Sequence, residues 1–69
     1  MKSLLLLRIG ENVKKYRISK DITQEELAVL CKVHRNYIMS VEKGERNVSI
    51  LTLEKICSGL NINVNNLLE

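Results

Sequence analysis

Between Arg35 and Lys43 the side chains able to make directed polar contacts gather on one side of a segment with helical spacing. At ~100° per residue, Arg35, Asn36, Met39, Ser40 and Lys43 lie roughly opposite Ile38 and Val41. This outer face offers a guanidinium fork, an amide, a hydroxyl and an ammonium, and no carboxylate. Its chemistry is recognition: donors aimed at something anionic or rich in acceptors. Groups for bond-breaking chemistry are lacking. The single histidine, His34, stands where a helix cap belongs, and the chain has no phosphate loop and no carboxylate pair assignable to a pocket. His34 and Cys31 are three residues apart, which suggests half a zinc site, but a second ligand pair is missing nearby. The expectation is therefore a protein that is not an enzyme and uses no metal, cofactor or small-molecule ligand.

Such a face needs elements to position it. Thr23 to Glu42, TQEELAVLCKVHRNYIMSVE, reads as a helix, a tight turn and a second helix whose apolar faces meet in a seam of Leu27, Ala28, Val33, Ile38 and Val41. Thr23 and Glu26 have the spacing of a capping box. A helix N-terminus also carries a partial positive charge that suits a phosphate, and Gln24 beside it has an amide able to bond a backbone or a base. Lys32 and Val33 make the turn, and Gly44 breaks the helix that follows His34. Before this unit, Leu6, Ile9, Val13 and Tyr16 form an inward stripe, with Gly10 inside it at a cost of about 1 kcal/mol that a close helix contact would explain. After it, Ser49 can cap a helix whose stripe is Ile50, Leu53, Ile56, Cys57 and Leu60, and Asn63 a short last one. The reading is all-α: a compact bundle of five helices, at about 4–19, 23–31, 35–43, 49–59 and 64–68, in one domain over 1–69.

Composition bounds the rest. A 69-residue chain buries only about 60% of its unfolded surface, and so leans on extra devices for stability. Cys31 and Cys57 fall on apolar helical faces rather than in loops, which points to reduced core thiols in a cytosolic protein. With two Tyr, no Phe and no Trp the core is aliphatic. The net charge of +3 permits a nucleic-acid partner without demanding one, and the basic excess lies in residues 1–35. Four leucines ending at Arg8 fall short of a signal sequence, and no stretch approaches the ~20 apolar residues of a membrane span. Leu4, Leu5 and Leu7 exceed what one stripe can bury and are either additional core or a subunit contact. The apolar excess of the last third, Ile62, Val64, Leu67 and Leu68, with the end of the fourth helix, points to a homodimer interface.

TQEELA, the turn, YI, a glutamate before KG and TLEKI stand together at the spacing of the Cro and lambda-repressor helix-turn-helix family, which the chain resembles over almost its whole length. Its size and the ERN loop are most similar to the controller proteins of restriction-modification systems. The resemblance implies a lambda-repressor-like DNA-binding domain in which Arg35 is the chief reader of base edges in the major groove, with Asn36 beside it as a second reader or a phosphate contact, and Met39 on the same face is the third candidate for base readout. Gln24, Tyr37, Lys43, Arg46, Asn47 and Ser49 would hold the DNA backbone, where contacts set register rather than sequence. Arg17 and Glu42 correspond to the family's structural ion pair. Two departures stand out: Lys32 occupies a turn position often held by glycine, and Met39 either touches a thymine methyl or is an ordinary surface residue. The resemblance further implies an autoregulating dimer on a pseudo-palindromic operator of double-stranded DNA, with half-sites about 34 to 36 Å apart. Two dimers on adjacent sites would switch activation to repression. The alternative is a phage-type repressor or an antitoxin acting mainly through a protein partner.

Overall fold

The computed structural model describes residues 3–69, which form five helices: α1 Leu4–Ser19, α2 Gln24–Cys31, α3 Arg35–Glu42, α4 Ile50–Leu60 and α5 Val64–Leu68. Side chains begin each of them. Ser3, Thr23, His34, Ser49 and Asn63 are the N-caps, each accepting a hydrogen bond from a first-turn amide. At α2 the capping box is complete: Glu26 N donates to Thr23 Oγ1 at 3.0 Å and Thr23 N to Glu26 Oε1 at 2.8 Å. The boundary read at Thr23 thus moves one residue, because a cap lies outside the helix it starts.

The core is aliphatic: Ile9 and Val13 of α1, Leu27 and Ala28 of α2, Ile38 and Val41 of α3, Ile56 and Leu60 of α4, and Leu67 of α5, with both cysteines among them. Val33 and Tyr16 pack on its edge. Helix α1 crosses α3 and also packs on α5, while α2 is wedged between α3 and α4. Gly10 makes the first crossing possible. A Cβ there would stand 2.3 Å from the Val41 carbonyl oxygen and 2.8 Å from that of Glu42. Lys32 adopts the left-handed region at φ 58°, so the tight turn between α2 and α3 is closed without glycine at roughly 1 kcal/mol of strain. Gly44, at φ 72°, lies under the Leu7 side chain, which gives that leucine a place in the fold.

Burial pushes the Cys31 thiol up to about 11, and Cys57 is raised by burial too. Both are free and neutral core groups. Cys31 Sγ is directed at the Lys55 carbonyl at 3.6 Å, and His34 Nδ1 caps α3. Two expectations for the subunit surface need correction. Leu67 has no exposed surface: Asn12 Nδ2 donates to the Leu67 carbonyl at 2.8 Å, which binds α5 to α1 and turns Leu67 into the core. The end of α4, with Ile56, Cys57 and Leu60, is also buried, and the exposed apolar residues are at its start, Ile50 and Leu51, 83% and 70% exposed. Leu4, Leu5, Val64 and Leu68 remain on the surface, and Ile62 packs against the core. Among the described residues no helix is long and apolar enough to cross a membrane.

Candidate nucleic-acid interface

Helix α3 is fixed to the body by its buried side and by its last residue. Ile38 and Val41 face the core, and the Glu42 carboxylate receives three donors from two other elements. Arg17 Nε reaches Glu42 Oε2 at 2.6 Å, Arg17 Nη2 reaches Oε1 at 3.2 Å, and Gln24 Nε2 donates to Oε1 at 3.0 Å. A further Arg17 donor, Nη1, binds the Ile22 carbonyl at 2.9 Å. This cluster joins α1, the chain before α2, the first residue of α2, and α3, so the orientation of α3 against α2 is set by side chains as well as by the seam. Gln24, singled out as a phosphate holder, commits one of its two amide donors to this buried cluster.

The opposite face of α3 is open. Arg35, the first residue of the helix, and Asn36 beside it are exposed, while Met39 and Ser40 are half-buried. The His34 ring accepts the Asn36 amide at 3.0 Å, which fixes the start of the helix from which Arg35 projects. Arg35 Nη1 lies 3.6 Å from Glu25 Oε1 on the first turn of α2. This contact was not foreseen from sequence. Glu25 and Glu26 both fall in that turn, and only Glu26 is used by the capping box.

Past α3 the chain folds back over it. Arg46 stacks on the Tyr37 ring, 4.6 Å from its centroid, and its Nε donates to Ser40 Oγ at 3.3 Å, while Ser40 donates to the Tyr37 carbonyl at 2.8 Å. Tyr37 is therefore a half-buried platform that carries the loop arginine along the flank of the open face. Lys43 is exposed as the C-cap residue of α3, and Asn47 is exposed in the loop. Ser49 is committed to α4: it accepts the Thr52 amide at 3.2 Å and donates to Thr52 Oγ1 at 3.0 Å. The structure thus brings Arg35, Asn36, Tyr37, Ser40, Lys43 and Arg46 onto α3 and the loop just beyond it, and puts Gln24 and Ser49 to structural use.

On α4 and α5 lies an apolar groove of about 440 Å³ lined by Ile50, Leu53, Glu54, Cys57, Val64 and Leu68. Of its lining residues, Ile50 is the most exposed, at 83%.

The profile of the helix-turn-helix family matches residues 13–67. Over the whole chain and 86% of the relative, the sequence is 40% identical to the control protein C.BamHI of Bacillus amyloliquefaciens. Over 87% of the chain and 71% of the relative, it is 45% identical to the control protein C.SmaI of Serratia marcescens. Among solved structures, the restriction-modification controller protein C.AhdI of Aeromonas hydrophila superposes with a TM-score of 0.87 at 35% identity, covering 90% of this chain and 94% of that one.

Proposed function

The chain belongs to the helix-turn-helix family, as a DNA-binding transcription regulator of the restriction-modification controller type, and from that premise we propose that it acts as a homodimer on a pseudo-palindromic operator next to its own gene. The observation that carries this reading is the open face of α3. A helix held rigidly by its buried side and by the Glu42 cluster presents Arg35 and Asn36 outward, with Lys43 and Arg46 near its other end. Arg35 reads guanine through its two acceptors, and Asn36 and Met39 complete the base contacts. Lys43, Arg46, Asn47 and Tyr37 hold phosphates on either side, where Arg46 leaves its stack on Tyr37 to reach the backbone. Gln24 and Ser49, whose side chains are occupied within the protein, contribute through the helix N-termini at which they stand.

A second copy covers the groove between α4 and α5. An apolar trough lined by Ile50, Leu53, Val64 and Leu68 would otherwise remain open to water. A two-fold axis through this surface sets two α3 helices in successive turns of the major groove, about 34 to 36 Å apart. Two such dimers on adjacent sites make the response depend on protein concentration. The protein works inside the cell, where the DNA is.

Fluorescence anisotropy against the duplex just upstream of the chain's own gene, with a random duplex as control and two salt concentrations, tests this reading. Saturable binding tighter than the control by about 10³-fold or more is expected. Equal weak binding to both, lost at the higher salt, overturns it in favour of a protein partner. Sedimentation of the free protein checks the dimer, and a monomer across the working concentrations removes the role assigned to the groove.

A further inference from the structure

The contact between Glu25 and Arg35 is out of place in a surface designed only to attract DNA. Glu25 is exposed on the first turn of α2, next to the helix that carries the proposed base readers, and a carboxylate there repels phosphate. Its partner is also unfavourably placed. Arg35 sits at the first position of α3, where the positive end of the helix dipole disfavours a cation, and α3 has no acidic residue of its own in that turn. Glu25 supplies the missing charge from the neighbouring helix. The pair is loose: one contact at 3.6 Å, with the two side chains 54% and 67% exposed. Glu25 and Arg35 stand on the rim of a shallow cleft floored by Ala28, Val29 and Val33.

We propose that Glu25 is a specificity-determining positioning residue that keeps Arg35 from engaging phosphates indiscriminately while leaving it free to bind a guanine edge. This rests on the DNA-binding reading above. Binding to random DNA is driven by phosphate neutralisation, and there Glu25 acts twice, by its own charge and by holding the most forward cation. At a matching guanine the balance differs. The guanidinium has five donors and the base takes two, so Arg35 can bind N7 and O6 and keep the Glu25 carboxylate as a partner on its other edge. Glu25 therefore weakens binding to random DNA more than binding to the operator.

The test measures anisotropy for the wild type, Glu25→Gln, Glu25→Asp, Arg35→Ala and the Glu25→Gln/Arg35→Ala double variant against the upstream duplex and a random duplex over a range of salt. For Glu25→Gln the random duplex should tighten about twofold more than the upstream one, the scale set by an exposed ion pair. The salt slope on random DNA should steepen by about one. Glu25→Asp retains the charge and should restore the wild-type salt slope. In the Arg35→Ala background Glu25→Gln should no longer lower the ratio of the two affinities, because the residue acts through Arg35. Equal tightening on both duplexes, or an undiminished effect without Arg35, overturns the proposal and reduces Glu25 to a surface charge. If the wild type itself does not discriminate, the operator reading fails first and this proposal falls with it. Circular dichroism on each variant confirms that the helices are intact.

Discussion

Helix α3 has an ion pair at each end, and the two are built oppositely. At its C-terminal end Glu42 meets Arg17 with side chains 4% and 12% exposed, and every donor around the carboxylate is close. At its N-terminal end Arg35 meets Glu25 in solvent through one long contact. Both helix ends carry the charge that the dipole disfavours, a base at the start and an acid at the finish. The protein corrects the two differently. The buried pair is over-determined and fixes where α3 lies, whereas the exposed pair is loose enough to let the Arg35 guanidinium reorient and take a further partner. A rigid anchor at one end and a labile pair at the other let a short helix be fixed in the body and still present a mobile guanidinium at its start.

The contrast breaks most easily at the anchor. Glu42→Ala leaves the Arg17 guanidinium largely buried without its carboxylate and should destabilise the fold by about 3 kcal/mol, a large share of what a chain of this length possesses. Urea denaturation measures it, and a loss under about 1 kcal/mol would mean that the cluster is ornament on an otherwise sufficient core. Next in size is Gly10→Ala. Its methyl would meet the carbonyls of Val41 and Glu42, which are backbone and cannot rotate away, so α1 must lift from α3 at a cost of about 2 kcal/mol. Here too urea denaturation decides, and a neutral substitution would show that the crossing gives way freely.

At the open end, effects move from stability to binding. Arg35→Ala should remove about 1 to 3 kcal/mol of discrimination between operator and random duplex while the urea midpoint stays almost unchanged. Retained discrimination would take the base-reading role from it. Arg46→Ala should weaken operator and random duplex alike and lower the salt slope by about one, since a phosphate contact carries no sequence information. A loss confined to particular base pairs would make the Tyr37 stack a device for base readout.

Much of this was legible in the sequence, for identifiable reasons. The all-helical fold follows from long stripes at a spacing of three and four, from capping residues that act within a single turn, and from a glycine whose only rationale was a close crossing. Arg17 and Glu42 were legible through family resemblance, and the structure adds Gln24 and the Ile22 carbonyl to their cluster. Contacts that depend on the angle between elements were not legible. Glu25 meets Arg35 because of how the turn at Lys32 sets α3 against α2, and Arg46 meets Tyr37 because of the path of a loop. Leu67 was misplaced for a related reason: five residues of α5 make little more than one turn, too short for periodicity to say which leucine faces inward. On α4 the stripe held from Leu53 to Leu60, but Ile50, read as its first inward member, lies on the surface, because which end of the helix is covered depends on where α2 and α5 lie.

The smallest expected change is the most direct check on the comparison. Glu25→Ala removes an exposed partner of Arg35, worth a few tenths of a kcal/mol, and a first-turn carboxylate that favours the start of α2 by a similar amount. The summed loss of stability should stay near 0.5 kcal/mol and shrink further as salt screens both terms. Glu42→Ala should keep most of its cost at the same ionic strength, because its partner lies out of reach of the solvent ions. Urea midpoints for the two variants at low and high salt therefore separate the ends of α3 without any DNA present. If Glu25→Ala cost as much as Glu42→Ala and were as indifferent to salt, the exposed pair would be a second anchor, and Arg35 would be held too rigidly to turn toward a base edge.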